Sequence, residues 1–455
     1  MMKAKWNILI LFQLNLLVAF AFQSSAQPQS WKKVYPLNAQ SRGVAVKEID
    51  NGRFIIGAEL TSISSLPNRM LLFKINAQGD SITSRVLCGS VTGDIELNNN
   101  KDEVVIIGTA SSCIPNIQSD IVYYRLDTLF NTIDTAVYGN SGLDKGKRII
   151  NDYDYGFVMA CYNTSYPDLI HIDKHGSQIW SMNYGLSGLT SIKRNLEGGY
   201  FICGNAGGGF VDPLYVAKID SIGNVIWYKT FYSTGWEGFT DIEPTPDSGV
   251  VALTDYFMLY KISATGDSSW MKNVYPGFSR MKSTTDGNLI LTGGGAALVK
   301  ADTSGQILWT SYNQIYPGSS SIAYEGWDVI ETSDGGFLLV GEIDSLGTKN
   351  LYVVKTDSIG QVTTGLNNYE PNFSAFCYPQ PFREQTTITL SNHQNTGAPN
   401  NWVLSVYNMQ GILLREEPVS GFPYIFKRNN LTSGIYLYTI TQAGKIPITG
   451  KMVVE

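Results

Sequence analysis

Seven residues in the variable connections of this chain carry side chains suited to holding a ligand: Trp236, Glu237, Tyr256, Arg280, Glu325, Trp327 and Asp328. Indole and phenol rings stack on sugar faces, and carboxylates accept hydrogen bonds from sugar hydroxyls. Two carboxylates about 5 to 10 Å apart would also suit glycoside hydrolysis. For Trp236 and Trp327 there is a structural alternative, which is to plug the gap between neighbouring innermost strands. Other chemistries lack their residues. Of three histidines, His171 and His175 fall on a strand and its turn and His393 lies in the C-terminal segment. No His-Glu-x-x-His, Cys-x-x-Cys, nucleophile elbow or phosphate loop occurs, and the glycine-rich "GNAGGGF" (204–210) follows no strand-to-helix pattern. No catalytic residue, metal or cofactor is assigned.

The elements that must position these side chains repeat. Aligned on the residue after a glycine turn, Phe54, Val104, Phe157, Tyr200, Val250, Leu289 and Phe337 recur roughly 40 to 53 residues apart, the period of a propeller blade. In "TSDGGFLLVG" (332–341), Asp bonds its own backbone and Gly takes the positive φ of a tight hairpin. The strand that follows is continuously apolar, so both of its faces are covered. Third strands such as "LYVVKTDSIG" (351–360) end in a second turn, and a tryptophan follows four residues past that glycine at Trp180, Trp227, Trp270 and Trp309. Thr83, Asp134 and Thr364 stand at the matching places of blades one, two and seven.

The segment "WKKVYP" (31–36) reads as another fourth strand, nearly matching "WMKNVYP" (270–276). It is expected to complete the seventh blade and so remove two unpaired sheet edges. The fold expected is all-β: a seven-bladed β-propeller followed by a small antiparallel, immunoglobulin-like β-sandwich. Short repetitive turns would share one face of the ring, and the variable loops with the seven candidates would share the other, near the channel mouth.

Two resemblances support the propeller. "TPDSGV" and "TSDGGF" resemble the Asp-box turns of sialidase-like propellers, without their closing tryptophan. "DTSGQILW", "DSIGNVIW" and "DKHGSQIW" resemble the tryptophan-docking repeat of quinoprotein propellers, with one residue fewer between Asp and Gly. Both motifs are structural in those families and imply no activity.

Charged residues make up 16% of the chain and the net charge is -6, with 26 tyrosines and 45 glycines. This is the composition of a β-rich extracellular protein, and with no basic cluster it excludes nucleic acid as a partner. Lys3 and Lys5, an uncharged run from Trp6 to Phe22 and Ser24-Ser25-Ala26 read as a secretory signal peptide, and no transmembrane segment is expected in the mature chain. Five cysteines do not form a framework. Cys161 and Cys203 read as small buried hydrophobes, Cys88 and Cys113 are a possible bridge, and Cys377 has no evident partner.

After residue 376 the pattern becomes one of short alternating strands. Pro379 and Pro381 in "YPQPF", Tyr407 and Gly411 in "VYNMQG", Leu431, Gly434 and Tyr436 in "LTSGIYLY", and Gly450-Lys451 before the final strand resemble the C-terminal sorting domain of the type IX secretion system. The resemblance implies the type IX secretion machinery as partner and export across the outer membrane. The organisation expected is a signal peptide (1–26), a propeller (27–366), a linker (367–376) and a sorting domain (377–455). The functional expectation is a secreted or cell-surface propeller that binds glycan or protein without catalysis. A glycan-active hydrolase or lyase and a structural surface protein or adhesin are the alternatives.

Overall fold

The computed structural model describes residues 30–455 apart from 38, 62–67, 90–92, 111–119, 140–143, 153–155, 163–167, 187, 206–212, 233–237, 256–257, 275–276, 317–321, 346, 363–374, 391–401, 409–411 and 443–447. The expected signal peptide, the linker up to residue 374 and most of the longest loops lie outside the described residues, while the last two residues of the expected linker open the strand Ala375–Tyr378. The chain divides into two compact units, Met1–Gly365 and Leu366–Glu455.

The first unit is a β-propeller. Its described residues form seven four-stranded antiparallel sheets. In chain order their first strands are Gln40–Asp50, Ile95–Leu97, Lys145–Asn151, Gly188–Arg194, Phe239–Pro244, Phe278–Ser283 and Ile322–Glu331, which define blades 1 to 7. First strands of successive blades pack against one another, and that of blade 7 packs against that of blade 1, so the ring closes.

The seven repeat residues from Phe54 to Phe337 all sit at the start of second strands. Continuous apolar runs follow because alternate side chains enter different cores. Val104 and Ile106 pack towards blade 1, while Val105 and Ile107 join Phe157 and Met159 of blade 3. Each of the seven blade interfaces holds such a cluster. Cys161 and Cys203 are buried free thiols in two of these layers, as the apolar pattern predicts. Cys88 is disulfide-bonded, and Cys113 lies outside the described residues.

Ring closure uses the first described strand of the chain. Trp31–Tyr35 pairs antiparallel with Thr348–Thr356, from Trp31 opposite Lys355 to Tyr35 opposite Leu351. Trp31 thus takes the fourth-strand place in blade 7, in the company of the tryptophans of blades 3 to 6, while Thr364 lies outside the described residues.

These tryptophans tie each blade to the next. A Cβ added at Gly79 would lie 2.7 Å from the Trp31 ring, at Gly266 2.9 Å from Trp227, at Gly305 2.7 Å from Trp270 and at Gly360 2.5 Å from Trp309. The Trp31 and Trp227 indoles also donate to the carbonyls of Ala77 and Ala264, at 2.8 and 2.9 Å. The turn glycine therefore meets two demands, a positive φ (79° at Gly305) and room for the neighbour's indole. Where blade 1 carries Thr83 instead, the blade 2 turn has Phe130 at positive φ (68°) in place of glycine. Between blades 1 and 2 ring and glycine are both absent, whereas blade 2 carries Asp134 and the blade 3 turn keeps Gly176 at positive φ (84°).

The Asp turns are also structural. Thr245, Thr284 and Thr332 donate their hydroxyls to Asp247, Asp286 and Asp334 two residues on, at 2.5 to 2.6 Å. A lysine from the third strand of the same blade reaches each carboxylate: Lys261 at 2.7 Å, Lys300 at 2.5 Å and Lys355 at 2.9 Å. Lys218 with Glu197, Arg125 with Glu103 and His171 with Asp152 repeat the arrangement in blades 4, 2 and 3.

The second unit is a small antiparallel β-sandwich. One sheet runs in the order Ala375–Tyr378, Gln385–Leu390, Tyr424–Lys427, and the other in the order Leu413–Val419, Trp402–Tyr407, Gly434–Gln442, Ile448–Val454. Ile388 and Phe426 of the first share a core with Trp402, Leu404, Tyr438 and Met452 of the second. Gly450 stands opposite Tyr438, and a Cβ there would lie 2.3 Å from the tyrosine ring, so the final strand needs glycine at that point. Tyr436 is buried and its hydroxyl donates to Thr432 O at 2.7 Å. Gly411 lies outside the described residues.

Candidate functional site

The first strand of a blade is its innermost, and only one edge is paired within the sheet. In six blades the ladder with the second strand carries a one-residue bulge near its start, leaving Val44, Lys147, Thr190, Thr240, Ser279 or Trp327 without an opposite number. Gly93 holds the equivalent place in blade 2, next to Asp94, whose carbonyl accepts from Ile107 N at 3.1 Å. A bulge bends the strand and re-aims its side chains. All seven of these residues line one cavity of about 690 Å³, together with Arg42, Arg148, Asn205, Asp255, Arg280, Gly294 and Glu325 among others. The cavity lies at the strand ends that carry the variable loops, where the first strands begin and the second strands end.

Of the seven sequence candidates, Arg280, Glu325 and Trp327 line this cavity. Trp236, Glu237 and Tyr256 lie outside the described residues. Asp328 sits one residue deeper and is 1% exposed. Its Oδ2 accepts from Val46 N of blade 1 at 2.9 Å, and Lys282 and Arg280 approach its Oδ1 at 3.5 and 3.8 Å. Asp241 makes the same stitch from blade 5 to Met281 N of blade 6 at 3.0 Å and also accepts from Ser191 Oγ at 2.6 Å. These aspartates satisfy backbone donors on the otherwise free edge of a neighbouring first strand. Burial pushes the Asp328 carboxyl up, against the pull of Lys282. Below them, Lys47 with Glu96 at 2.8 Å and Lys193 with Glu243 form a further polar layer.

The cavity wall is divided by charge. On one side Arg42 pairs with Glu59 at 2.7 Å and its guanidinium stands 4.9 Å from the centre of the Trp327 ring, a cation–π distance. Nearby, Lys147 lies 5.7 Å from the Tyr162 ring, and Arg148 donates to the Lys147 carbonyl at 2.9 Å. Burial, reinforced by repulsion from Arg148, Lys145 and Arg42, pushes the Lys147 ammonium down to about 8. On the other side Asp255 accepts from Gly238 N at 2.8 Å, and Glu325 accepts from Ser279 Oγ at 3.2 Å. Burial raises both carboxyls, and Glu342 raises Glu325 further. Arg280 spans the floor, donating to the carbonyls of Trp327 and Val44 at 3.3 Å each. Aromatic surface, cations and carboxylates thus meet in one concavity of a size that suits a small ligand or one or two sugar rings.

Asp255, Lys147, Arg148 and Arg42 were not legible as site residues. A bulge is a property of pairing between two strands and leaves no fixed mark in either. The recurrence of Thr190, Thr240, Ser279 and Trp327 just before the buried polar residues Ser191, Asp241, Arg280 and Asp328 was the available signal.

Residues 377–455 match the secretion system C-terminal sorting domain family. No curated protein matches the chain. Among solved structures it is similar to PorZ, a surface component of the type-IX secretion system of Porphyromonas gingivalis, with 12% identity, a TM-score of 0.46, and 92% of this chain and 61% of that one covered. It is also similar to the extracellular domain of a hybrid two-component system from B. thetaiotaomicron, with 11% identity, a TM-score of 0.49 and coverage of 93% and 57%. A third is BamB from Moraxella catarrhalis, with 12% identity, a TM-score of 0.41 and coverage of 72% and 99%. The fold rests on the seven sheets themselves and not on likenesses this distant. The chain is a β-propeller joined to a type IX sorting domain, and it is secreted or carried to the outer cell surface. Among the described residues no helix is long and apolar enough to cross a membrane.

Proposed function

We propose that the propeller is a non-catalytic binding module, displayed at or released from the cell surface, which takes a glycan or a protein segment into the cavity at its channel mouth. The observation that carries this reading is the ring of bulge residues. Every blade places the residue of this position in the same concavity, and the seven are of six types, with threonine in both blades 4 and 5, while the turns of the opposite face repeat. A frame that only had to be stable would have no need of Trp327, Lys147 and Thr240 at equivalent places.

A hydrolase reading is favoured by one observation, the presence of Asp255 and Glu325 on the same wall with carboxyls raised by burial, since a protonated carboxyl is what a general acid needs. Binding leads because the remaining lining is hydroxyl, amide, aromatic and cationic. The test is an array of glycans and surface-protein fragments probed with the exported protein, followed by product analysis on whatever is retained. Retention without turnover is the expected result. Turnover abolished by Glu325→Gln would move the protein to the enzyme class, and no retention of any member would leave the structural-protein reading in its place.

A further inference from the structure

The binding reading leaves the ligand open, and one part of the cavity bears on it. Arg42, Lys147 and Arg148 reach the lining from blades 1 and 3. Between them blade 2 presents Gly93, where a Cβ would lie 2.6 Å from Ile107 O and 2.9 Å from Gly146 O. Among the described residues the wall therefore has cations on both flanks and no side chain in the middle. Arg42 is answered by Glu59. Among the described residues, neither Lys147 nor Arg148 is within ion-pair distance of a carboxylate. The Nε of Arg148 is buried and makes no hydrogen bond there. The contrast with the rest of the channel is sharp. Deeper cations are matched: Lys47 by Glu96, Lys193 by Glu243 and Lys282 by Asp328.

A cluster of like charges half withdrawn from water is costly unless an opposite charge joins it. The other blades line the rest of the cavity with groups that suit hydroxyls: Thr190 and Asn205 of blade 4, Thr240 and Asp255 of blade 5, Ser279 of blade 6 and Glu325 of blade 7. Resting on the binding reading, we infer that the ligand is an acidic saccharide, with its carboxylate or sulfate seated over Gly93 between Arg42, Lys147 and Arg148 and its hydroxyls turned to the groups of blades 4 to 7. An ammonium and a guanidinium donate charge-assisted hydrogen bonds to either group, so the two sources share one chemistry. The Lys147 ammonium, faced by Arg148 and Lys145 of its own strand, Arg42 of blade 1 and the Tyr162 ring, is charged below its depressed value and gains a counter-charge on binding.

The test is equilibrium binding of the exported protein to oligogalacturonides, sulfated oligosaccharides and the neutral counterpart of each. Acidic members are expected to bind at least tenfold more tightly than neutral ones, with affinity falling as salt rises. The uronate and sulfate arms then distinguish the two anions. Lys147→Gln and Arg148→Gln should each weaken acidic binding by about tenfold, a loss typical of a charged hydrogen bond, with an unchanged melting curve certifying the fold. In the unsubstituted protein, affinity should fall as pH rises through about 8. Equal binding of neutral members, or acidic binding that survives both substitutions and high salt, would overturn the acidic class while leaving a cavity ligand in place. Binding unaffected by filling the cavity with Thr240→Trp, or no binding by any acidic member, would overturn it as well, and the first of these would also remove the binding reading.

Discussion

Asp247, Asp286 and Asp334 read as turn residues in the sequence and act as scaffolding in the fold. Burial works against the charge of each, but hydrogen bonds from a third-strand lysine and a turn threonine prevail and hold Asp247 down to about 2. Asp286 and Asp334 are held below the ordinary carboxylate range by the same partners. A carboxyl depressed in the folded state contributes stability that is complete above its unfolded value, near 4, and is lost as pH falls through the folded one. The melting temperature should therefore drop between about pH 4 and pH 2. A triple Asp→Asn variant should melt lower at neutral pH and show a flatter profile below pH 4, as thermal melts across that window would reveal. Phe337→Ala, which empties a fully buried site between blades 6 and 7, should cost about 3 to 5 kcal/mol in chemical denaturation. The aspartate turns were legible because Asp, Gly and spacing are local. Their lysines were not, since Lys261 and Lys355 lie 14 and 21 residues away from the carboxylates they meet.

Strands were the most readable feature at the scale of elements. Continuous apolar runs with a fixed period specify second and third strands covered on both faces, and the seven cores between blades bear this out. The fourth-strand tryptophan showed where "WKKVYP" belongs, since an indole at that place needs a turn glycine in the next blade, and Gly79 supplies it. First strands were harder to read, because polar residues in them look like surface when they in fact face a channel. Asp328 is the clearest case: a carboxylate beside a tryptophan suggested a ligand, and in the fold its Oδ2 holds Val46 N. Deleting Trp31–Tyr35 opens blade 7 and exposes the long pairing edge of Thr348–Thr356. The melting temperature should fall by many degrees, and the protein should associate through the open edge. Supplying the missing strand as a peptide should reverse both effects in melting and light-scattering measurements.

For the whole molecule, the two units divide the work. The sandwich carries the address and the propeller carries the cavity. Removing residues 377–455 should leave the propeller folded but retained in the periplasm, as fractionation of cells expressing the shortened chain would show. The propeller's channel holds matched ion pairs at depth and, among the described residues, cations with no carboxylate in ion-pair range at the variable face. That asymmetry is what a one-sided binding ring requires. The sequence set its candidates in variable loops, but Arg280, Glu325, Trp327 and Asp328 stand on first strands, because which residues meet depends on bulges repeated around the ring.

The most direct measurement is binding of the exported protein to its retained array ligands before and after Thr240→Trp, which puts an indole into the cavity from a position already directed there. The account predicts that binding is lost while the melting temperature moves by no more than a few degrees. Binding that persists undiminished in the filled variant would contradict it, because the ligand would then be held somewhere other than the channel mouth.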